Sequence, residues 1–117
     1  MSTTAELMIR GLLGTLFIDI DGTILNESTE DALPFAVQKI NAAYDKGYMI
    51  VLTTMRGSGD VYEATAACST TLQSLKDIEL KFHFIIWNSP SPRTLINDEY
   101  AAAIKHPRNG SWEGYSF

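Results

Sequence analysis

Three short apolar runs constrain the fold of this 117-residue chain more than any other feature of its sequence. They span residues 14–18, 49–52 and 82–87, and the first two end directly at polar side chains. Those two do not alternate apolar with polar residues, which is typical of strands buried on both faces of a parallel sheet. Helical patterns separate the runs, and strands that alternate with helices imply right-handed crossovers. The sequence therefore predicts an α/β fold, a Rossmann-like three-layer sandwich with a mainly parallel central sheet.

Two helices are expected between these strands. The first begins near residues 31–34, where Pro34 suits an initial turn, and it ends at Gly47 in the position of a C-terminal cap. The second begins after Asp60, which forms an aspartate version of a capping box with Glu63.

The last third of the chain carries weaker signals. Residues 94–96 are a short apolar run and predict a fourth strand, whereas residues 101–105 fit either a fifth strand or a short helix. Trp112, in a glycine-containing tail, either packs back on the body of the domain or contacts another subunit. Both alternatives stay open.

Polar side chains directly follow three of the predicted strands. They are Asp19 and Asp21, then Thr53 and Thr54, then Asn97 and Asp98. Ligands of parallel sheets bind beyond the carboxyl ends of the strands, so these three sets should converge on one edge. Aspartate is a known nucleophile in phosphoryl transfer, and carboxylates with water and phosphate oxygens suit Mg²⁺. The pattern indicates a carboxylate-rich site for metal-assisted chemistry on phosphate esters.

A calcium-binding loop is the rival interpretation of the same acidic run. Asp19, Asp21, Thr23 and Glu30 match four of its ligand positions. The sixth position requires glycine and is Ile24 here, and an apolar run stands where a helix should precede the loop. The calcium interpretation therefore fails.

The net charge of −5 narrows the choice of partners. Nine basic residues against 14 acidic ones argue against nucleic acid, which binds basic surfaces. The longest apolar stretch is too short to span a bilayer, and Cys68 alone cannot form an internal disulfide. We expect a single domain over residues 1–117 that is cytoplasmic and has no membrane partner.

Asp19-Ile-Asp21-Gly-Thr after an apolar strand resembles the first motif of the haloacid dehalogenase-like hydrolase superfamily. The run from Ile50 to Arg56 resembles its second motif, with Thr54 as the aligned hydroxyl and Thr53 as the alternative. The run that ends at Asp98 resembles the fourth, acidic motif. The resemblance spans residues 14 to 98 with the motifs in order.

The resemblance implies a Mg²⁺-dependent phosphate-monoester hydrolase. Asp19 would attack phosphorus and bind the metal, and Asp21 would protonate the leaving oxygen and then activate water. The backbone carbonyl of Asp21 would also touch the metal, and Asp98 would complete the metal site. Thr54 would bind a phosphoryl oxygen.

Cap domains are common in this superfamily, but the spacing of these motifs leaves no room for one. The chain resembles a minimal, capless member of the superfamily. The resemblance to small capless relatives favours a small phosphorylated substrate, in particular a sugar phosphate. A broad substrate range, a macromolecular substrate, or closure of the site by a neighbouring subunit in a homo-oligomer is also compatible with a missing cap.

One family feature is missing. The third motif supplies a lysine, and Ser89 stands at the matching place. Arg93, Lys105 or Lys81 could replace it, and Lys105 is favoured as a phosphate-binding cation because it lies just beyond the acidic motif. A missing charge would slow the reaction, so the alternative function is a catalytically weak or inactive binding or regulatory protein.

Overall fold

The computed structural model describes residues 13–57 and 59–117. Three strands and two helices alternate along the chain: β1 (Gly14–Asp19), α1 (Ala36–Lys46), β2 (Tyr48–Thr53), α2 (Val61–Asp77) and β3 (Phe84–Ile86). All three strands are parallel, and β2 lies between β1 and β3. The predicted α/β class and parallel sheet are confirmed, with the elements of a minimal Rossmann-like core.

The strand register aligns the ends of the strands. Asp19, the last residue of β1, pairs with Thr53, the last residue of β2, and Thr53 pairs with Ile86 at the end of β3. The polar residues that follow β1 and β2 therefore start from the same edge of the sheet, as the sequence predicted.

Both helices pack on one face of this sheet. Ile40 and Ala43 of α1 and Leu75 of α2 belong to one buried cluster with strand residues such as Ile50. The predicted ends are confirmed at Gly47, which caps α1 with φ 109°, and at the Asp60 capping box of α2. Neither helix, among the residues described, combines the length and apolar character needed to cross a bilayer.

The opposite face of the sheet carries exposed apolar side chains. Phe17 pairs with Val51, and Val51 pairs with Phe84, so Phe17 and Phe84 lie on the same face of the sheet. Phe17 is 56% exposed and Phe84 is 59% exposed. The expectation that the first strand is buried on both faces is thus wrong for β1. The two crossovers move in the same direction across the sheet, so right-handed connections bring both helices to a single face. The described residues therefore form two layers, a sheet and one layer of helices, where the sequence predicted three.

The predicted fourth strand does not form. Residues 94–96 and 101–105 have neither strand nor helix structure, and Ile96 is 92% exposed. The carboxylate of Asp98 accepts hydrogen bonds from the Asn97 side chain and the Tyr100 backbone N–H, both at 3.1 Å. Such local side-chain bonds compete with the backbone ladder of a sheet, which explains the turn in place of a strand.

Candidate active site

The two carboxylates of the first motif emerge together at the end of β1. The intervening Ile20 is fully buried, and its N–H donates to the Thr53 carbonyl at 3.1 Å. Its own carbonyl accepts the N–H groups of Ile24 and Leu25 at 2.9 and 3.0 Å, which turns the chain back. The side chains of Asp19 and Asp21 are 35% and 34% exposed, and both line one cleft of about 350 Å³.

Asp19 is held by one cation and one hydroxyl. Its Oδ1 accepts a hydrogen bond from Arg93 at 2.9 Å, and its Oδ2 accepts one from the Thr23 hydroxyl at 3.3 Å. Arg93 is in turn fixed by Ser89, whose carbonyl accepts from Nε and from the second terminal nitrogen at 3.2 and 2.6 Å. The cation that faces the predicted nucleophile is therefore an anchored arginine.

Asp21 is bound by a different arginine. Arg56 Nε donates to both carboxylate oxygens at 3.1 Å, and a terminal nitrogen contacts Oδ1 at 2.5 Å. The same guanidinium pairs with Glu30 and donates to the Thr71 hydroxyl. The hydrogen bonds to Asp21, with the charges of Asp21 and Glu30, raise the pKa of Arg56 against the opposing effect of burial. Arg56 is thus a permanent cation that orients Asp21.

The hydroxyl of Thr54, which was predicted to bind phosphate, contacts both Arg56 and Asp21. Thr54 is fully buried, its hydroxyl accepts the Arg56 backbone N–H at 3.1 Å, and it lies 3.5 Å from Asp21 Oδ2. Neither Thr54 nor Thr53 is among the described residues that line the cleft. The structure brings Thr54 to the carboxylates but directs its hydroxyl to Asp21.

Asp98, the predicted third metal ligand, does not join the two carboxylates of the first motif. Asp98 is engaged by Asn97 and Tyr100, and it does not line the cleft with Asp19 and Asp21. Within residues 13–57 and 59–117, no three histidine, cysteine or acidic side chains form a group that could hold a metal. The segment that carries Asp98 has formed a local turn instead of a strand beside β1, so the predicted convergence fails for the third polar set.

Neither lysine considered as the replacement cation contacts Asp19 in the described structure. Lys105 is exposed and does not line the cleft, and Lys81 pairs with Asp45 at 2.8 Å. Arg93, the remaining alternative, is the one that contacts Asp19. The sequence favoured Lys105 because it lies just beyond the acidic motif, whereas a contact between positions 74 residues apart leaves no local signal.

The C-terminal segment forms one wall of the cleft, which the sequence did not predict. His106 and Arg108 line it together with residues of the first motif. The Trp112 indole N–H donates to the Thr23 carbonyl at 2.6 Å, and Trp112 is only 3% exposed. Of the two alternatives for Trp112, packing on the body of the domain is the one observed.

Magnesium suits the chemistry of the donors that remain. Asp19 and Asp21 offer hard carboxylate oxygens at an open cleft, and Mg²⁺ typically binds one or two carboxylates, with water and substrate phosphate completing its shell. These two residues fit the ion, although each carboxylate also contacts an arginine.

A family model for haloacid dehalogenase-like hydrolases matches residues 16–80. The match covers more than half of the chain and includes all of β2 and the part of β1 from Leu16 onward, together with Asp19, Asp21, Thr54 and Arg56. Neither a curated protein nor a solved structure gives a significant match. The parallel sheet, the paired carboxylates at its edge and the matching family model lead to one conclusion: the chain belongs to the haloacid dehalogenase-like hydrolases.

Proposed function

We propose that the chain is a Mg²⁺-dependent phosphatase, which hydrolyses a small phosphate monoester through an aspartyl-phosphate on Asp19. Sugar phosphates are the first substrate class to test. The observation that carries this proposal is the convergence of Asp19, Asp21 and Arg93 on one open cleft at the strand ends. A carboxylate nucleophile beside a fixed cation is suited to an anionic, phosphorus-centred reaction.

The residues divide the reaction between them. A carboxylate oxygen of Asp19 forms a bond to phosphorus while the bond to the leaving oxygen breaks, and Asp21 supplies the proton to that oxygen. Asp21 then accepts a proton from the water that cleaves the aspartyl-phosphate. Arg93, at 2.9 Å from Asp19, offsets the negative charge of the transferring group, and Arg56 holds Asp21 in place.

Asp19 would hold the metal through its carboxylate, and Asp21 would hold it through its backbone carbonyl. When bound, Mg²⁺ supplies electrostatic stabilisation of the phosphoryl oxygens and orients the group for in-line attack. Participation of Asp98 as a further ligand stays a prediction, as do phosphate contacts by Thr54 and Lys105. Asp98 does not line the cleft in this structure, and its Oδ1 accepts the Tyr100 backbone N–H.

Hydrolysis of an aryl phosphate with Mg²⁺ tests the proposal directly. We expect turnover by the natural chain and a loss of at least about 100-fold in Asp19→Asn, because the amide is a poor nucleophile. Asp21→Asn should suppress turnover while metal affinity, measured by titration calorimetry, is largely retained. Equal rates for the natural chain and Asp19→Asn across a panel of phosphate esters would rule out the enzyme.

The second candidate is a binding or regulatory protein with little turnover. It is favoured by one observation: Asp19 and Asp21 are each already paired with an arginine in the described structure. Such a protein would bind a phosphorylated ligand in the cleft without cleaving it. Binding of inorganic phosphate with Mg²⁺, combined with no turnover above Asp19→Asn, would select this function.

A further inference from the structure

A tight turn presents Arg108 at the cleft. The Gly110 N–H donates to the Pro107 carbonyl at 2.8 Å, and the His106 ring lies 2.8 Å from the Gly110 carbonyl. A Cβ atom on Gly110 would meet the Pro107 oxygen at 2.8 Å, closer than real Cβ contacts. The turn is therefore compact and depends on glycine at this position.

The same turn is tied to the loop that follows the nucleophile. The Asn109 N–H donates to the Gly22 carbonyl at 2.7 Å, and the Asn109 side chain accepts the Glu27 N–H at 3.0 Å. The stem of Arg108 lies over Gly22, where an added Cβ would come within 3.3 Å of its Cγ. Backbone anchors thus hold Arg108 beside Asp19 and Asp21.

Arg108 differs from the other two arginines near the carboxylates. Arg56 and Arg93 each donate to a catalytic carboxylate, whereas Arg108 makes no hydrogen bond to a described residue. Its side chain is 76% exposed, and its one ion pair with a described residue joins Nε to Glu27 at 3.4 Å. Exposed pairs of this kind are weak, so the donors of this guanidinium are available to a ligand.

A planar guanidinium is best matched by a carboxylate or a phosphate group. Arg93 already serves the nucleophile, so Arg108 is placed for a part of the substrate outside the transferring phosphoryl group. We propose that the cleft selects phosphate monoesters whose leaving group carries a second anionic group, a carboxylate or a phosphate, which Arg108 binds. This inference rests on the proposed phosphatase function and narrows its substrate class.

Competing substrates test the selection and separate the two anions. Phosphoglycolate carries a carboxylate, a sugar bisphosphate carries a second phosphate, and glycerol phosphate carries neither. We expect Arg108→Gln to lower kcat/KM for one or both of the first two by about 10- to 100-fold and to leave glycerol phosphate within about twofold. Lys76→Gln is the matched control, because it removes the same charge from the exposed last turn of α2.

A binding measurement makes the test independent of turnover. With Mg²⁺ present, titration calorimetry should show that phosphonoacetate binds the natural chain at least about tenfold more tightly than ethylphosphonate does. Arg108→Gln should bind the two alike, whereas Lys76→Gln should keep the difference.

The outcomes are distinguishable. Equal binding of both phosphonates by the natural chain, or a preference that survives in Arg108→Gln, overturns the role of Arg108. Equal effects of Arg108→Gln on all three substrates overturn it as well. A binding preference that Arg108→Gln abolishes, together with no hydrolysis above Asp19→Asn, would remove the phosphatase function and keep the anion site.

Discussion

Replacement of Trp112 by phenylalanine should destabilise the protein far more than the same change at Trp87. The Trp112 indole N–H donates to the Thr23 carbonyl at 2.6 Å inside a nearly closed environment. Trp87 is half-buried, and its indole makes no hydrogen bond with the residues that the structure describes. The two variants therefore remove the same atoms but differ in the burial of the site and in one hydrogen bond.

The magnitude follows from two contributions. Leaving the Thr23 carbonyl without its donor costs about 1–2 kcal/mol, and the space left by the smaller ring costs about 1–2 kcal/mol more. For a domain of this size, 1 kcal/mol shifts Tm by about 4 °C, so Trp112→Phe should lower Tm by about 8–16 °C. Trp87→Phe should cost about 1 kcal/mol or less.

Urea and thermal unfolding followed by circular dichroism measure both variants without relying on tryptophan fluorescence. Two-state analysis of each curve gives the free energy of unfolding. Equal losses for Trp112→Phe and Trp87→Phe would refute the reasoning, because the hydrogen bond to the first-motif loop would then contribute nothing. A loss under about 1 kcal/mol at Trp112 would have the same meaning.

Three further replacements test other parts of the structure. Gly110→Ala should cost about 1–3 kcal/mol in urea unfolding, since its Cβ would strike a backbone oxygen; Gly114→Ala has open space and should be near neutral, so equal effects would contradict the tight turn. Arg93→Gln should lower kcat about 100-fold in the aryl phosphate assay. If kcat falls in Lys105→Gln and not in Arg93→Gln, Lys105 is the replacement cation, as the sequence favoured. Asp60→Ala should cost about 1 kcal/mol in thermal unfolding through loss of the capping box, whereas an unchanged Tm would show that the cap is dispensable.

Local patterns predicted the regular part of the fold well. The first two strands end where the polar residues begin, Gly47 caps a helix, and Asp60 forms its capping box. These features depend on interactions within a few residues, so a single sequence carries enough information to place them.

The parts of the site that failed depend on contacts between distant segments. Asp98 was expected beside Asp19 at the end of a fourth strand. Its carboxylate instead accepts hydrogen bonds from Asn97 and Tyr100 in a local turn, and the short apolar run before it does not form the strand. Arg93 reaches Asp19, and Arg56 binds Asp21, across intervals of 74 and 35 residues. Such pairings follow from the tertiary arrangement. The periodicity of apolar residues and the spacing of motifs in the sequence do not predict them.

The attachment of the C-terminal segment to the first-motif loop has a consequence for biosynthesis. Glu27 and Thr23 find their partners in Asn109 and Trp112, which lie 82 and 89 positions later in the chain. During translation β1 and its carboxylates leave the ribosome first, while the residues that hold the loop are still to be made. Contacts of such large sequence separation form slowly. The loop after β1 is therefore fixed late, and a nascent chain that stops before residue 109 carries the acidic motif without these two hydrogen bonds to its loop.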